Sequence, residues 1–156
     1  MITLLETTDA VTEKVKHALC DSEFSKVPIV EGGLSEELTR PSLKVFFDNG
    51  YSRKVNGCMK EETLHYKVYF FAGDLKNYKI ENMKVANLIQ DEFLTPLKIS
   101  DSFIADIDEV KAEISDTVLI CSFDIETLEY IPELILDDGI EYEILENVNL
   151  NMKLEE

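Results

Sequence analysis

The residues best suited to covalent chemistry are Cys58 and His65, seven positions apart in "CMKEETLH". A thiolate beside an imidazole is a nucleophile with its base, provided the two side chains come within hydrogen-bonding reach. Their setting argues for something plainer. Cys58 follows Asn56-Gly57, a strong turn signal, and His65 opens an aromatic, β-rich run. These settings make Cys58 a turn cysteine and His65 a strand histidine. His17, the other histidine, lies in the helical stretch "EKVKHAL", where a solvated or half-buried ring is the ordinary outcome. Two acidic clusters, "DIDE" at 106–109 and "LDDGIEYE" at 136–143, offer the oxygen ligands that calcium prefers. Neither has the alternating ligands, central Gly and final Glu of an EF-hand loop. Wet strand faces and a connecting loop account for both. The sequence also lacks a Walker loop, GxGxxG, GxSxG and HExxH. It therefore assigns no catalytic residue, no metal ligand and no cofactor-binding residue.

Aromatic residues invite a different chemistry. "HYKVYFFAG", from His65 to Gly73, has the composition of a base-stacking platform. The charge opposes that use: 32 Asp and Glu against 15 Lys and Arg leave a net −17, which phosphate backbones and anionic membranes repel. A sheet core needs the same residue types, so core is the expected role. Three widely spaced cysteines, Cys20, Cys58 and Cys121, do not form a disulfide framework and point to a reducing compartment. The opening "MITLLETTDA" has neither the basic region nor the apolar core of a secretory signal. No apolar run reaches the roughly 20 residues of a membrane helix. A soluble intracellular protein is expected.

At 156 residues the chain is expected to form a single domain spanning 1–156. Leu4, Thr8, Val11, Val15, Ala18 and Leu19 recur at helical spacing, with Thr8 or Asp9 as a cap if the helix starts late and "CDSEF" as its end. "SKVPIVEGG" reads as a short extended piece, and "LSEELTRPS" as a connector. Strand runs follow at 43–47 and 64–71, separated by a polar stretch with Asn-Gly at 49–50 and again at 56–57. This is a long antiparallel hairpin whose arm, around 48–62, is expected to project from the domain. Val85, Leu88, Ile89 and Phe93 share a second helical face, with Met83 at its edge and Pro96 as the stop. Strands return in "SFIADIDEVKAEIS" and "TVLICSFDIETL", flanking a tight turn at Asp116-Thr117. Finally, Tyr142, Ile144, Val148, Leu150, Met152 and Leu154 alternate as a strand does. The fold class is α+β: a mostly antiparallel sheet with two main helices packed on one face.

Read end to end, the chain resembles the small phage tail terminator (tail completion) proteins, including those of defective prophages with contractile tails. The resemblance is carried by "FSKVPIVEGGLSEELTRPSLKVFF", "LHYKVYFFAGD", "NYKIENMKVANLIQDEFL" and the closing "YEILENVNLNMKL". It implies a structural subunit without an active site or cofactor. Such subunits assemble with copies of themselves as a ring, a hexamer by resemblance, on the finished tail tube. The tube protein, the sheath and the head-neck connector are the implied partners, with DNA only passing through the channel and no membrane involved. The implied location is the host cytoplasm during assembly and the tail particle or virion afterwards. Two other classes fit the residues less well. An acidic adaptor or inhibitor-type binding protein draws support from the net charge, but the acidic residues are dispersed. An enzyme with an unrecognised carboxylate site has only loop acids to support it.

Overall fold

The computed structural model describes residues 2–30 and 39–132. Helix α1 (Leu4–Leu19) begins at a capping box. The Thr3 hydroxyl accepts the Glu6 N–H at 3.2 Å, and the Glu6 carboxylate accepts the Thr3 N–H at 2.8 Å. Those Thr3 hydrogen bonds hold the Glu6 carboxyl below the usual carboxylate range. The cap is therefore Thr3, not Thr8 or Asp9, because only Thr3 has a glutamate three residues on to reciprocate. Thr7, Val11, Val15 and Leu19 form the buried stripe. After the helix, Phe24 meets Phe70 edge-on at 5.6 Å. Residues 28–30 then run beside Leu43, exchanging backbone hydrogen bonds of 2.8 and 2.9 Å with it.

Strands β1 (Ser42–Lys54), β2 (Met59–Phe71), β5 (Val110–Ser115) and β6 (Val118–Tyr130) make one antiparallel sheet in the order β1-β2-β6-β5. A separate hairpin joins β3 (Leu97–Ser100) to β4 (Phe103–Ala105). Its first strand lies just past the predicted Pro96 stop. The predicted run from 102 to 115 is thus divided: Ala105 pairs with Leu97, Val110 pairs with Phe123, and residues 106–109 carry the chain from one sheet to the other.

Asn49-Gly50 is not a turn. It lies inside β1, where Asp48 is the extra residue of a bulge between Phe47 and Asn49. The hairpin reverses instead at the second Asn-Gly, where the Asn56 side chain accepts the Cys58 N–H at 3.0 Å. Asp116 and Thr117 do form the predicted turn. Their φ values of 46° and 73° are those of a two-residue I′ connection.

Both helices lie on the sheet face made by Leu43, Val45 and Phe47 of β1, the even residues of β2 from Leu64 to Phe70, and the odd residues of β6 from Leu119 to Ile125. Tyr66 is at the centre. It stacks on Phe123 at 6.1 Å, meets Phe47 at 5.6 Å, and its hydroxyl lies 2.9 Å from that of Thr8. Helix α2 (Tyr78–Glu92) adds Val85, Ala86 and Ile89, and Phe93 follows it against Phe123 at 4.6 Å. Two amides set its position: Asn82 donates to the Thr117 carbonyl and Gln90 to the Val110 carbonyl, both at 3.0 Å. Met83, placed at the edge of that face from sequence, is exposed. The aromatic stretch predicted as core is core, with Tyr66, Val68, Phe70 and Phe71 all buried.

Candidate functional site

The structure does not bring Cys58 and His65 together. They are separated along extended chain by seven residues, roughly 20 Å. The Cys58 thiol lies 3.5 Å from the Asn56 side-chain oxygen. His65 instead pairs through Nδ1 with Asp124, its direct neighbour on β6. His17 is largely exposed, with Nδ1 3.1 Å from a Glu92 oxygen. Of the three cysteines, Cys20 is exposed and Cys121 is buried, and burial pushes the Cys121 thiol up to about 12. Asp106, Asp108 and Glu109 line a shallow recess with Lys111 and, from β6, Ser122, Asp124 and Glu126. Among the described residues no group of three or more His, Cys, Asp and Glu is arranged to hold a metal ion. The cluster at 136–143 and the closing alternation at 142–154 lie outside the described residues.

Beyond β5 the main sheet narrows to a three-stranded arm. Strand β5 follows β6 only as far as Val110 opposite Phe123. Past that level β1, β2 and β6 continue together as three strands, from the Asn49–His65–Asp124 row to the Lys54–Lys60–Glu129 row. The predicted two-stranded projection therefore has a third strand along it. One face of the arm meets the start of α1, where the Ile2 N–H donates to a Glu129 oxygen at 3.0 Å and Thr127 is buried. The other face carries two successive rows, Tyr51–Thr63–Glu126 and Arg53–Glu61–Leu128. Tyr51, Leu128 and Tyr130 are each more than half exposed, at 54%, 56% and 63%. Arg53 lies among them, with Nη2 2.6 Å from Glu61.

The arm's two edges differ in charge. Among the described residues nothing pairs with the outer edge of β1 beyond Leu43, nor with the outer edge of β6 beyond Phe123. Strand β1 ends in Arg53-Lys54, and Lys54 has no carboxylate partner among the described residues. The β6 edge presents Asp124 and Glu126, with Asp106, Asp108 and Glu109 beside them. Unpaired strand edges are templates for association, and charge controls what they accept.

Comparison with known proteins gives the family. A family model of phage tail terminator proteins matches residues 6–135, which take in all of α1 but its first two residues and every later helix and strand among the described residues. The chain belongs to that family. A search of curated proteins returns no match. Membership makes the chain a structural tail-assembly protein, a component of the tail particle or virion that interacts with other tail parts. Among the described residues no helix is long and apolar enough to cross a membrane.

Sequence reasoning missed two features of this terminator. The Thr3–Glu6 capping box was legible as T-x-x-E ahead of an apolar run. The opposed edges were not, because Arg53 and Glu126 are 73 positions apart and only strand order puts them on opposite sides.

Proposed function

We propose that this protein closes the finished tail tube by assembling on its end as a ring, hexameric in number. There it stops addition of tube protein and presents the surface to which the filled head joins. Family membership over residues 6–135 is the observation that carries this reading. The whole chain acts as one unit, with the hairpin around 48–62 as its contact element, and the function requires no catalysis and no cofactor. DNA passes through the ring without being held, in keeping with a net charge of −17. Assembly takes place in the host cytoplasm, with the tube, the sheath and the head-neck connector as neighbours.

The test is genetic and visual. Tails produced without this protein should vary in length beyond the normal value and carry no heads when viewed by negative-stain microscopy. Supplying the protein in trans should restore both. Tails of uniform normal length in its absence would reject the proposal.

A further inference from the structure

We propose that the two edges of the three-stranded arm are the two halves of one subunit contact, the β1 edge of one copy lying against the β6 edge of the next. This rests on the ring reading above and deepens it. A ring needs a heterologous contact, in which two different patches of the same chain meet and the rotation closes. The arm provides two different patches on opposite sides. Both are strand edges unpaired among the described residues, and they run in the same direction, since β1 and β6 are each antiparallel to β2. Successive copies related by rotation about an axis along the strands present β1 and β6 to each other as parallel neighbours.

Charge fixes the pairing. In a chain this acidic, most contacts between copies are repulsive, so an attractive one must use the scarce cations. Arg53, paired with Glu61, and Lys54 close β1, whereas the far side carries Asp124, Glu126, Asp106, Asp108 and Glu109 around a single cation, Lys111, which lies 3.3 Å from Glu109. The levels are close as well. Arg53 stands in the same row as Leu128 and Tyr51 in the same row as Glu126, so in level arms Arg53 lies two residues, about 7 Å, past Glu126 of the next copy, and a stagger of that size sets it directly beside this carboxylate. Apolar surface follows the same logic. Tyr51 on one edge and Leu128 and Tyr130 on the other lie on one face of the arm, and edge-to-edge contact covers them together. The occupant is a second copy of this chain.

The test uses two charge-reversed full-length proteins. Arg53→Glu with Lys54→Glu makes both edges acidic; Asp124→Lys with Glu126→Lys puts two cations on the β6 edge itself, where they repel Arg53-Lys54 of the next copy, while Asp106, Asp108 and Glu109 stay in place. All four positions are exposed, so loss of the Arg53–Glu61 and His65–Asp124 pairs should lower the melting temperature only slightly, and each variant should still unfold cooperatively. Each alone should fail to assemble at a concentration where the native protein does, and an equal mixture should assemble, because both junctions of an alternating ring are then complementary. In parallel, native protein mixed from two nitrogen isotopes should, with a carbodiimide, give mixed-isotope peptides joining Lys54 to a carboxylate among 106–109 or 124–126. Variants that assemble alone, a well-folded mixture that stays dissociated, or mixed-isotope links that bypass Lys54 would each overturn the contact. Native protein that still caps tails in those cases would show that the terminator reading survives. Loss of capping control by the native protein itself would defeat that reading separately.

Discussion

At the scale of single residues, burial decides what chemistry is open to each group. Cys121 sits in the core row with Val45 and Val68, and no charged partner offsets the cost of ionising it there. Its thiol is raised from 9.0 to about 12, so the folded protein holds the proton while the unfolded chain releases it. The sign follows directly. This contribution to stability is complete below the ordinary thiol value and is lost as pH climbs toward about 12. Unfolding free energies measured between about pH 8 and 11 should fall more steeply for the native protein than for Cys121→Ala. Equal slopes would show that burial does not control this thiol. A colorimetric thiol reagent gives a second view. Cys20 and Cys58 should react in the folded protein, and Cys121 only after denaturant is added.

At the scale of elements, the helices and the two long strand runs were legible because burial imposes period 3.6 on α1 and α2 and alternation on β2 and β6. The Asp116-Thr117 turn was legible because the polar Ser115-Asp116-Thr117 separates two β-rich runs. Asn49-Gly50 was misread because dipeptide chemistry is local, whereas a bulge is set by the partner strand. Leu64 must face the core opposite position 50, and one extra residue at Asp48 restores that facing. Glycine is needed there for space. A Cβ at position 50 would sit 2.8 Å from the Thr63 carbonyl oxygen and 3.0 Å from Leu64. At Gly57, in the true turn, an added Cβ would meet nothing within 4 Å. Gly50→Ala should therefore cost about 1–3 kcal/mol, and Gly57→Ala within about 0.5 kcal/mol of nothing. Urea midpoints of the two variants compare them directly, and equal losses would contradict the bulge. The contact edges were illegible for a related reason. Residue types gave Arg53-Lys54 and the acids at 106–109, but only the order β1-β2-β6-β5 sets them on opposite sides.

At the scale of the whole molecule, two electrostatic effects of different range compete during assembly. Each copy carries −17, which opposes any gathering of subunits over the full width of the protein. The contact proposed between Arg53-Lys54 and the β6 edge acts across a few ångströms. Salt separates them, because the screening length is about 30 Å at 0.01 M, about 8 Å at 0.15 M and about 3 Å at 1 M. At the lowest salt the long-range repulsion is nearly unscreened and the protein should be mainly monomeric. Moderate salt removes most of that repulsion and leaves close contacts largely intact, so association should rise. Molar salt should weaken the edge contact too, while the apolar cover over Tyr51, Leu128 and Tyr130 keeps part of the gain. Light scattering from about 10 mM to 1 M salt should therefore show molar mass climbing through the physiological range, then levelling or falling. The Arg53→Glu, Lys54→Glu protein should lose the rise. Native protein that is fully assembled at the lowest salt, and dissociates steadily as salt is added, would mean that attraction outweighs net charge at every range. On a tail tube the same balance shifts, because contacts with the tube add to the association energy. The proposed ring should accordingly persist there at salt concentrations where the free protein is monomeric.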